Sequence, residues 1–186
     1  MVKVLVVDDH ELVRTGICRM LADHPDIEVV GQADSGEMAI DLVRRLHPQV
    51  VLLDVNMPGI GGVETTRRLI QISPDIRVLA VSGLAEEPYP SLLLKAGAKG
   101  YITKSNAPDT LVTAVCLIAE GGTFVEPGIA QQLAISMAAE LDESAKIKSL
   151  SPREFDIFCL LATGMTTRQA AESLCLSYKT VSNHST

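Results

Sequence analysis

The sequence contains no tryptophan, and aromatic residues make up only 3% of its 186 residues. Hydrophobic residues still account for 47% of the chain, so its core must be built mainly from aliphatic side chains. Runs rich in Val, Ile and Leu are typical of a parallel β-sheet that is covered by helices on both faces. The length leaves room for one domain of common size and a small second one.

The cysteines show no C-x-x-C spacing, and each lies in an apolar context of helical periodicity. They are Cys18, Cys116, Cys159 and Cys175. This pattern predicts reduced core thiols in a cytosolic protein. The sequence also lacks a charged-then-apolar leader and a run of 18 apolar residues, so we expect a cytoplasmic protein with no membrane span.

No part of the chain is strongly basic. The formal net charge is −7, and residues 149–186 carry three Lys or Arg against three Asp or Glu. The sequence therefore lacks the positive footprint that would make nucleic-acid binding evident from charge alone.

Short apolar runs that end in a polar side chain are the most informative feature of the chain. Four of these runs predict strands, and they end at Asp8, Asp54, Ser82 and Lys104. The carboxyl ends of parallel strands lie at one edge of a sheet, where α/β proteins place their chemistry. We therefore expect these side chains, and Asp9 beside Asp8, to converge there.

Three clustered carboxylates repel one another unless a cation lies between them. Mg²⁺ prefers such oxygen ligands and leaves room for a phosphoryl oxygen. A carboxylate can also act as a nucleophile and form an aspartyl-phosphate, while a lysine neutralises the charge of the transferring group. A single acid at a strand end is usually a solvated loop residue, but the complete set favours a phosphoryl-transfer site.

Helical periodicity follows each predicted strand as far as about residue 120. Five strands alternating with five helices indicate an α/β fold with a doubly wound parallel sheet. The loop Met57-Pro-Gly-Ile-Gly-Gly62 follows the Asp54 strand, and its glycines allow the backbone to approach a metal-phosphate site closely.

Three stretches resemble the receiver signatures of two-component response regulators of the NarL/FixJ type. They are VLVVDDHELVRTGI, VVLLDVNMPGIGGVE and AGAKGYITK. The details Asp-His-Glu-Leu-Val-Arg-Thr-Gly and Glu-Glu-Pro-Tyr-Pro are most similar to GacA-like regulators. The resemblance implies a flavodoxin-like (βα)5 receiver domain over residues 1–120, with strand order 2-1-3-4-5.

The resemblance also implies a role for each residue of the expected site. Asp54 would be the phosphoacceptor, and Asp8, Asp9 and the backbone carbonyl of Asn56 would complete a Mg²⁺ site with it. Lys104 would bind the phosphate. The phosphoryl donor would be a sensor histidine kinase or its phosphotransfer domain.

A switch formed by Ser82 and Tyr101 is a further implication of the resemblance. The Ser82 hydroxyl would move toward the phosphate and vacate space that the Tyr101 ring enters. The alternative is a fixed, half-buried Tyr101 ring. Ser105 departs from many receivers, which have proline after the lysine.

The remainder of the chain is predicted to be a linker, 121–149, and a small all-α unit, 150–186. A helix is expected from Pro127, and Ser151, Thr167 and Ser177 are candidate N-caps of three further helices. The pattern Leu150-Ser-x-Arg-Glu, Ala162-x-Gly, Leu176-Ser, Thr180-Val and His184 resembles a LuxR-type helix-turn-helix domain. Its candidate DNA contacts are Lys179, Thr180, Asn183 and His184.

The printed sequence stops within the predicted recognition helix, before the fourth helix of the family. We therefore expect a C-terminally truncated helix-turn-helix remnant, a competent receiver and a poor DNA binder. Promoter DNA is the partner expected of the full-length family form, and the resemblance also allows a homodimer.

Three functions compete at this stage. The first is a response regulator that controls transcription, and the second is a receiver-only switch or phosphate sink that acts through protein contacts. The third is a phosphatase with an aspartyl nucleophile, which would need an acid two residues after Asp54. Asn56 occupies that position and cannot serve as acid or base, so we expect no enzyme.

Overall fold

A computed structural model describes residues 1–83, 88–106, 108–136 and 166–173 of the chain. The chain divides into two compact units, Met1–Leu133 and Ala134–Thr186. Among the described helices, none is both long and apolar enough to cross a membrane.

The first unit is built on a six-stranded sheet in which every neighbouring pair of strands is parallel. The strand order is β2-β1-β3-β4-β5-β6. The strands are β1 Val2–Val7, β2 Ile27–Ala33, β3 Val50–Asp54, β4 Arg77–Ser82, β5 Gly100–Thr103 and β6 Phe124–Val125. The predicted flavodoxin-like order of the first five strands is confirmed, and a sixth strand extends the sheet beyond β5.

Helices connect the strands and cover both faces of the sheet. They are α1 Glu11–Ala22, α2 Gly36–Leu46, α3 Gly61–Ile72, α4 Tyr89–Lys95, α5 Pro108–Ala119 and α6, residues 127–136. Residues of β1 alternate between two apolar clusters. Leu5 and Val7 pack in the cluster that contains Ile40 and Leu69 of α2 and α3. Val4 and Val6 belong to the cluster of α1 and α5, as expected for the two-residue period of a strand.

The sixth strand lies within the segment predicted to be a linker. A Cβ atom added at Gly100 would lie 2.5 Å from the carbonyl oxygen of Phe124, so only glycine lets β6 lie this close to β5. Ile129 of α6 is 2% exposed and packs in the same apolar cluster as Tyr101. The first compact unit thus includes residues 121–133. The end of the receiver domain at residue 120 stays a prediction.

Two helix starts differ in detail from the sequence prediction. Ser35 occupies the predicted N-cap position of α2, but its hydroxyl donates to Asp34 Oδ1 at 2.9 Å instead of capping the helix. The predicted cap at Thr167 is wrong, because that residue is the first of helix α7, Thr167–Ser173.

Thr166 caps α7 instead. The backbone N–H of Gln169 donates to Thr166 Oγ1 at 3.3 Å, and the backbone N–H of Thr166 donates to Gln169 Oε1 at 2.9 Å. This reciprocal pair is a capping box. The helices predicted around Ser151 and Ser177, and the candidate DNA contacts Lys179, Thr180, Asn183 and His184, lie outside the described residues.

Candidate functional site

The predicted polar side chains do meet at one edge of the sheet. Asp54 is the last residue of β3, Ser82 is the last of β4, and Asp8 and Lys104 follow the ends of β1 and β5. The four strands β1, β3, β4 and β5 are neighbours in the sheet. Their parallel direction brings these residues to the same edge, which is the edge where open α/β sheets bind ligands.

Lys104 joins the two buried carboxylates of the site. Its Nζ atom lies 2.7 Å from Asp8 Oδ2 and 2.8 Å from Asp54 Oδ2. Asp8 is 1% exposed and Asp54 is 2% exposed. Burial of the Lys104 side chain disfavours its charge, but hydrogen bonds and attraction to Asp54 and Asp8 outweigh this effect. The pKa of the Lys104 ammonium therefore lies above its ordinary value of 10.5.

The β1–α1 loop contacts the side chain of Asp8, and the first turn of α1 contacts its backbone. The backbone N–H of His10 donates to Asp8 Oδ1 at 2.8 Å, and Arg14 Nη1 donates to the Asp8 carbonyl oxygen at 2.6 Å. His10 Nδ1 also lies 3.0 Å from Asp9 Oδ1. These contacts orient the carboxylates of Asp8 and Asp9.

Possible metal-binding atoms cluster at this edge. One ligand atom from each of Asp8, Asp9, His10 and Asp54 lies within 4.8 Å of the others. The three carboxylates are the hard oxygen ligands that suit Mg²⁺. His10 was not among the predicted ligands, although its place directly after the acid pair was a sequence signal for its proximity.

The β3–α3 loop shapes the other side of the site. The backbone N–H of Asn56 donates to Asp54 Oδ1 at 3.2 Å. The backbone N–H of Gly62 donates to the Val55 carbonyl oxygen at 3.2 Å. A Cβ atom at Gly62 would lie 2.8 Å from Val55 Cα and 3.0 Å from the Asp54 carbonyl oxygen. Glycine therefore lets α3 begin against the end of β3, and the role of the Asn56 carbonyl in metal binding stays a prediction.

Ser82 and Tyr101 are both fully buried, at 0% exposure. The Ser82 carbonyl oxygen accepts the backbone N–H of Lys104 at 2.8 Å, which fastens the end of β4 to the lysine. Tyr101 lies in the core cluster that includes Leu93 and Ile129. Its ring is fully buried and not half-buried in this state, and its movement with Ser82 stays a prediction.

Sequence reasoning also missed Glu126, which lies near the site. Glu126 Oε2 accepts a hydrogen bond from the Asn106 amide at 2.6 Å and two from Thr103, the residue before Lys104. The only sequence signal at Glu126 was that it directly precedes Pro127, a position that suits the start of a helix. Such a position says nothing about a partner 20 residues earlier.

Comparison with protein families gives two matches. Residues 4–116 match the family of response regulator receiver domains, and residues 148–186 match the luxR family of bacterial regulatory proteins. The receiver match covers more than half of the chain. This chain belongs to the response regulator family.

Similar proteins extend the match along the whole chain. The response regulator GacA of Pseudomonas aeruginosa is 47% identical over 184 residues, which are 99% of this chain and 86% of that protein. Among solved structures, a LuxR-family response regulator from Aurantimonas sp. is 34% identical with a TM-score of 0.70 and covers 73% of this chain and 97% of that one. The response regulator RcsB, solved as a complex with DNA, is 25% identical with a TM-score of 0.67 and covers 98% of this chain and 87% of that one.

The comparisons thus confirm the receiver and the LuxR-type region that the sequence motifs indicated. The chain is thus a two-component response regulator with a receiver and a LuxR-type DNA-binding region, an organisation consistent with transcription control.

Proposed function

We propose that a phosphoryl group on Asp54 is the signal that this response regulator receives. The observation that carries the proposal is the buried Asp54 carboxylate, bound by Lys104 at 2.8 Å beside a second buried acid. The donor is a phosphohistidine of a sensor kinase or of its phosphotransfer domain. In the transfer an Asp54 oxygen forms the new O–P bond while the N–P bond of the donor breaks.

The residues of the site divide the work of this transfer. Asp8, Asp9, Asp54 and the Asn56 carbonyl would hold Mg²⁺, which supplies positive charge next to the phosphoryl oxygens. Lys104 is already placed at the nucleophile and stabilises the negative charge of the transferring group. His10 lies beside Asp8 and Asp9 and keeps them oriented.

The phosphoryl group is then detected at the neighbouring strand end. It adds strong acceptor oxygens to Asp54, and the Ser82 hydroxyl belongs to the last residue of the neighbouring strand β4. We propose that Ser82 moves toward the phosphoryl group and that Tyr101 changes its packing in response. Equal Tyr101 side-chain NMR signals with and without a phosphate mimic would argue for a fixed ring.

The LuxR-type region is the natural output of this switch. RcsB, a similar response regulator, has been solved in complex with DNA. We propose that residues 148–186 correspond to a DNA-contacting unit, with Lys179, Thr180, Asn183 and His184 as its candidate contacts. A receiver that acts through protein contacts alone is the alternative, and it is favoured by the balance of three basic and three acidic residues in 149–186.

The phosphoacceptor is tested by labelling the full chain with acetyl phosphate and Mg²⁺. We expect the mass of one phosphoryl group on the wild type and none on Asp54→Asn. Asp8→Asn and Asp9→Asn should bind Mg²⁺ more weakly and become labelled more slowly. Asp75→Asn is a matched control, because this exposed acid precedes β4 at the opposite edge of the sheet. Equal labelling of Asp54→Asn would show that the phosphoacceptor is another residue.

A further inference from the structure

Glu126 accepts three hydrogen bonds from residues on either side of Lys104, although it lies beyond residues 4–116 of the receiver match. Its Oε2 atom accepts the backbone N–H of Thr103 at 3.1 Å, the hydroxyl of Thr103 at 2.9 Å and the side-chain amide of Asn106 at 2.6 Å. Hydrogen bonds to a charged acceptor are about twice as strong as those between neutral groups.

The backbone of Glu126 is fixed as firmly as its side chain. Its N–H donates to the Tyr101 carbonyl oxygen at 3.2 Å, next to the β5–β6 pairing. Its carbonyl oxygen accepts the N–H of Ala130 at 2.9 Å and so begins α6. The sixth strand and the sixth helix therefore hold the backbone that carries this carboxylate.

The two residues that Glu126 binds enclose Lys104. Thr103 precedes Lys104, and Asn106 follows two positions later. The Asn106 amide also donates to Thr103 Oγ1 at 2.9 Å, and the Asn106 backbone N–H donates to the Thr103 carbonyl oxygen at 3.2 Å. Hydrogen bonds between Thr103 and Asn106 thus stabilise the turn that carries Lys104, and both residues also donate to Glu126.

We propose that Glu126 is a positioning residue for Lys104 in phosphoryl transfer to Asp54. This inference rests on the function proposed above. With acetyl phosphate as donor, the Asp54 oxygen forms a bond to phosphorus, the acetyl O–P bond breaks, and acetate leaves. Lys104 must stand close to the transferring group throughout, and a displacement of a fraction of an ångström at such a group slows the reaction severalfold.

A purely structural role would have different consequences. If Glu126 only held β6 on the sheet, its loss would lower stability and leave the Lys104 turn unchanged in the folded protein. If it positions Lys104, its loss alters that turn in molecules that remain folded. The two roles are therefore distinguished by measurements on the folded protein.

The experiment compares Glu126→Ala, Glu126→Gln and the control Glu120→Ala in the full chain. The Ala variant removes the acceptor, whereas Gln keeps an oxygen that can accept the same donors. Glu120 is an exposed acid just beyond the end of α5. Two quantities are measured: the rate of labelling by acetyl phosphate with Mg²⁺, and the amide NMR signals of Thr103 and Lys104 without phosphate or metal.

We expect Glu126→Ala to become labelled about tenfold more slowly and to shift the Thr103 and Lys104 signals. Glu126→Gln should recover most of the rate, and Glu120→Ala should match the wild type in both measurements. Unchanged Thr103 and Lys104 signals in folded Glu126→Ala would overturn the inference, whether or not any variant is labelled. Labelling of Glu126→Ala at the wild-type rate would also overturn it, while leaving Asp54 as phosphoacceptor.

If the wild type itself is not labelled, the proposed function fails, and the NMR comparison alone decides whether Glu126 positions Lys104.

Discussion

At the scale of single residues, Lys104 determines the charge balance of the site. Its ammonium lies within 2.8 Å of an oxygen of each of two carboxylates that are almost fully buried. Without a cation between them, Asp8 and Asp54 would face each other as unpaired buried charges. Removing one member of a buried ion pair costs more than the pair itself contributes.

We expect Lys104→Met to lower the free energy of unfolding by about 2–3 kcal/mol in the absence of Mg²⁺. Added Mg²⁺ should restore part of this loss, because it replaces the missing positive charge. Lys99→Met is the control, because this exposed lysine precedes the other end of β5. Urea unfolding followed by circular dichroism measures both variants, and equal midpoints for them would contradict the expectation.

The pH dependence of this loss follows from the raised pKa of Lys104. The ordinary value is 10.5 and the pKa in the folded protein is higher, so the stabilisation is complete below 10.5 and is lost as pH rises through the folded-state pKa. The stability difference between wild type and Lys104→Met should therefore be constant from about pH 7 to about pH 10. If the stability difference decreases between about pH 7 and about pH 10, Lys104 loses its proton below its ordinary pKa, which would contradict the expectation.

At the scale of elements, the junction of β3 and α3 sets the position of Asp54. A Cβ atom at Gly62 would meet only backbone atoms, at 2.8 Å from Val55 Cα and 2.9 Å from the Val55 carbonyl oxygen. Backbone cannot rotate away as a flexible side chain can, so the helix or the strand end must shift. A shift of the strand end would move the phosphoacceptor itself.

We expect Gly62→Ala to lower the free energy of unfolding by about 1–3 kcal/mol and to slow labelling of Asp54. Gly16→Ala is a matched control within α1, because nothing lies within 4 Å of the added Cβ. That substitution should raise stability by about 0.5–1 kcal/mol, since alanine is the better helix former. Thermal unfolding and the labelling rate are measured on both, and a loss of labelling in Gly16→Ala alone would contradict the assignment.

At the scale of the whole molecule, charge limits what the chain attracts from a distance. Its formal net charge is −7, and residues 149–186 are balanced at three charges of each sign. Non-specific attraction to DNA depends on positive charge that displaces counterions from phosphates. Any stable DNA complex must therefore depend on direct contacts and not on long-range attraction.

We expect the dissociation constant for a random-sequence duplex at physiological salt to be higher than about 10⁻⁴ M. We also expect the phosphorylated chain to bind promoter DNA more tightly than the random-sequence duplex, because direct contacts must supply the affinity that charge does not. Fluorescence anisotropy with labelled duplexes, repeated at two salt concentrations, measures both. Phosphorylated and Asp54→Asn chains provide the matched pair, and tight binding to promoter DNA would favour direct transcription control over a receiver that acts by protein contacts.

The sequence by itself determined the five-stranded receiver core and most of the site. Asp8, Asp54, Ser82 and Lys104 each end or follow a short apolar run, and strand alternation is a local property of the chain. The capping box of α7 is also local, because only Thr166 has Gln169 three positions later. Thr167 lacks this spacing, because Ala170 stands three positions after it.

Only the tertiary structure decided how distant residues are joined. β6 has two residues, too few for any periodicity, and it exists because Gly100 leaves space for the Phe124 carbonyl 24 positions later. The pairing of β6 with β5 also brings Glu126 to Thr103 and Asn106. The parallel arrangement of β1, β3 and β5 places Lys104 between Asp8 and Asp54. Local patterns encode backbone conformation and burial, whereas these contacts depend on packing between segments far apart in sequence.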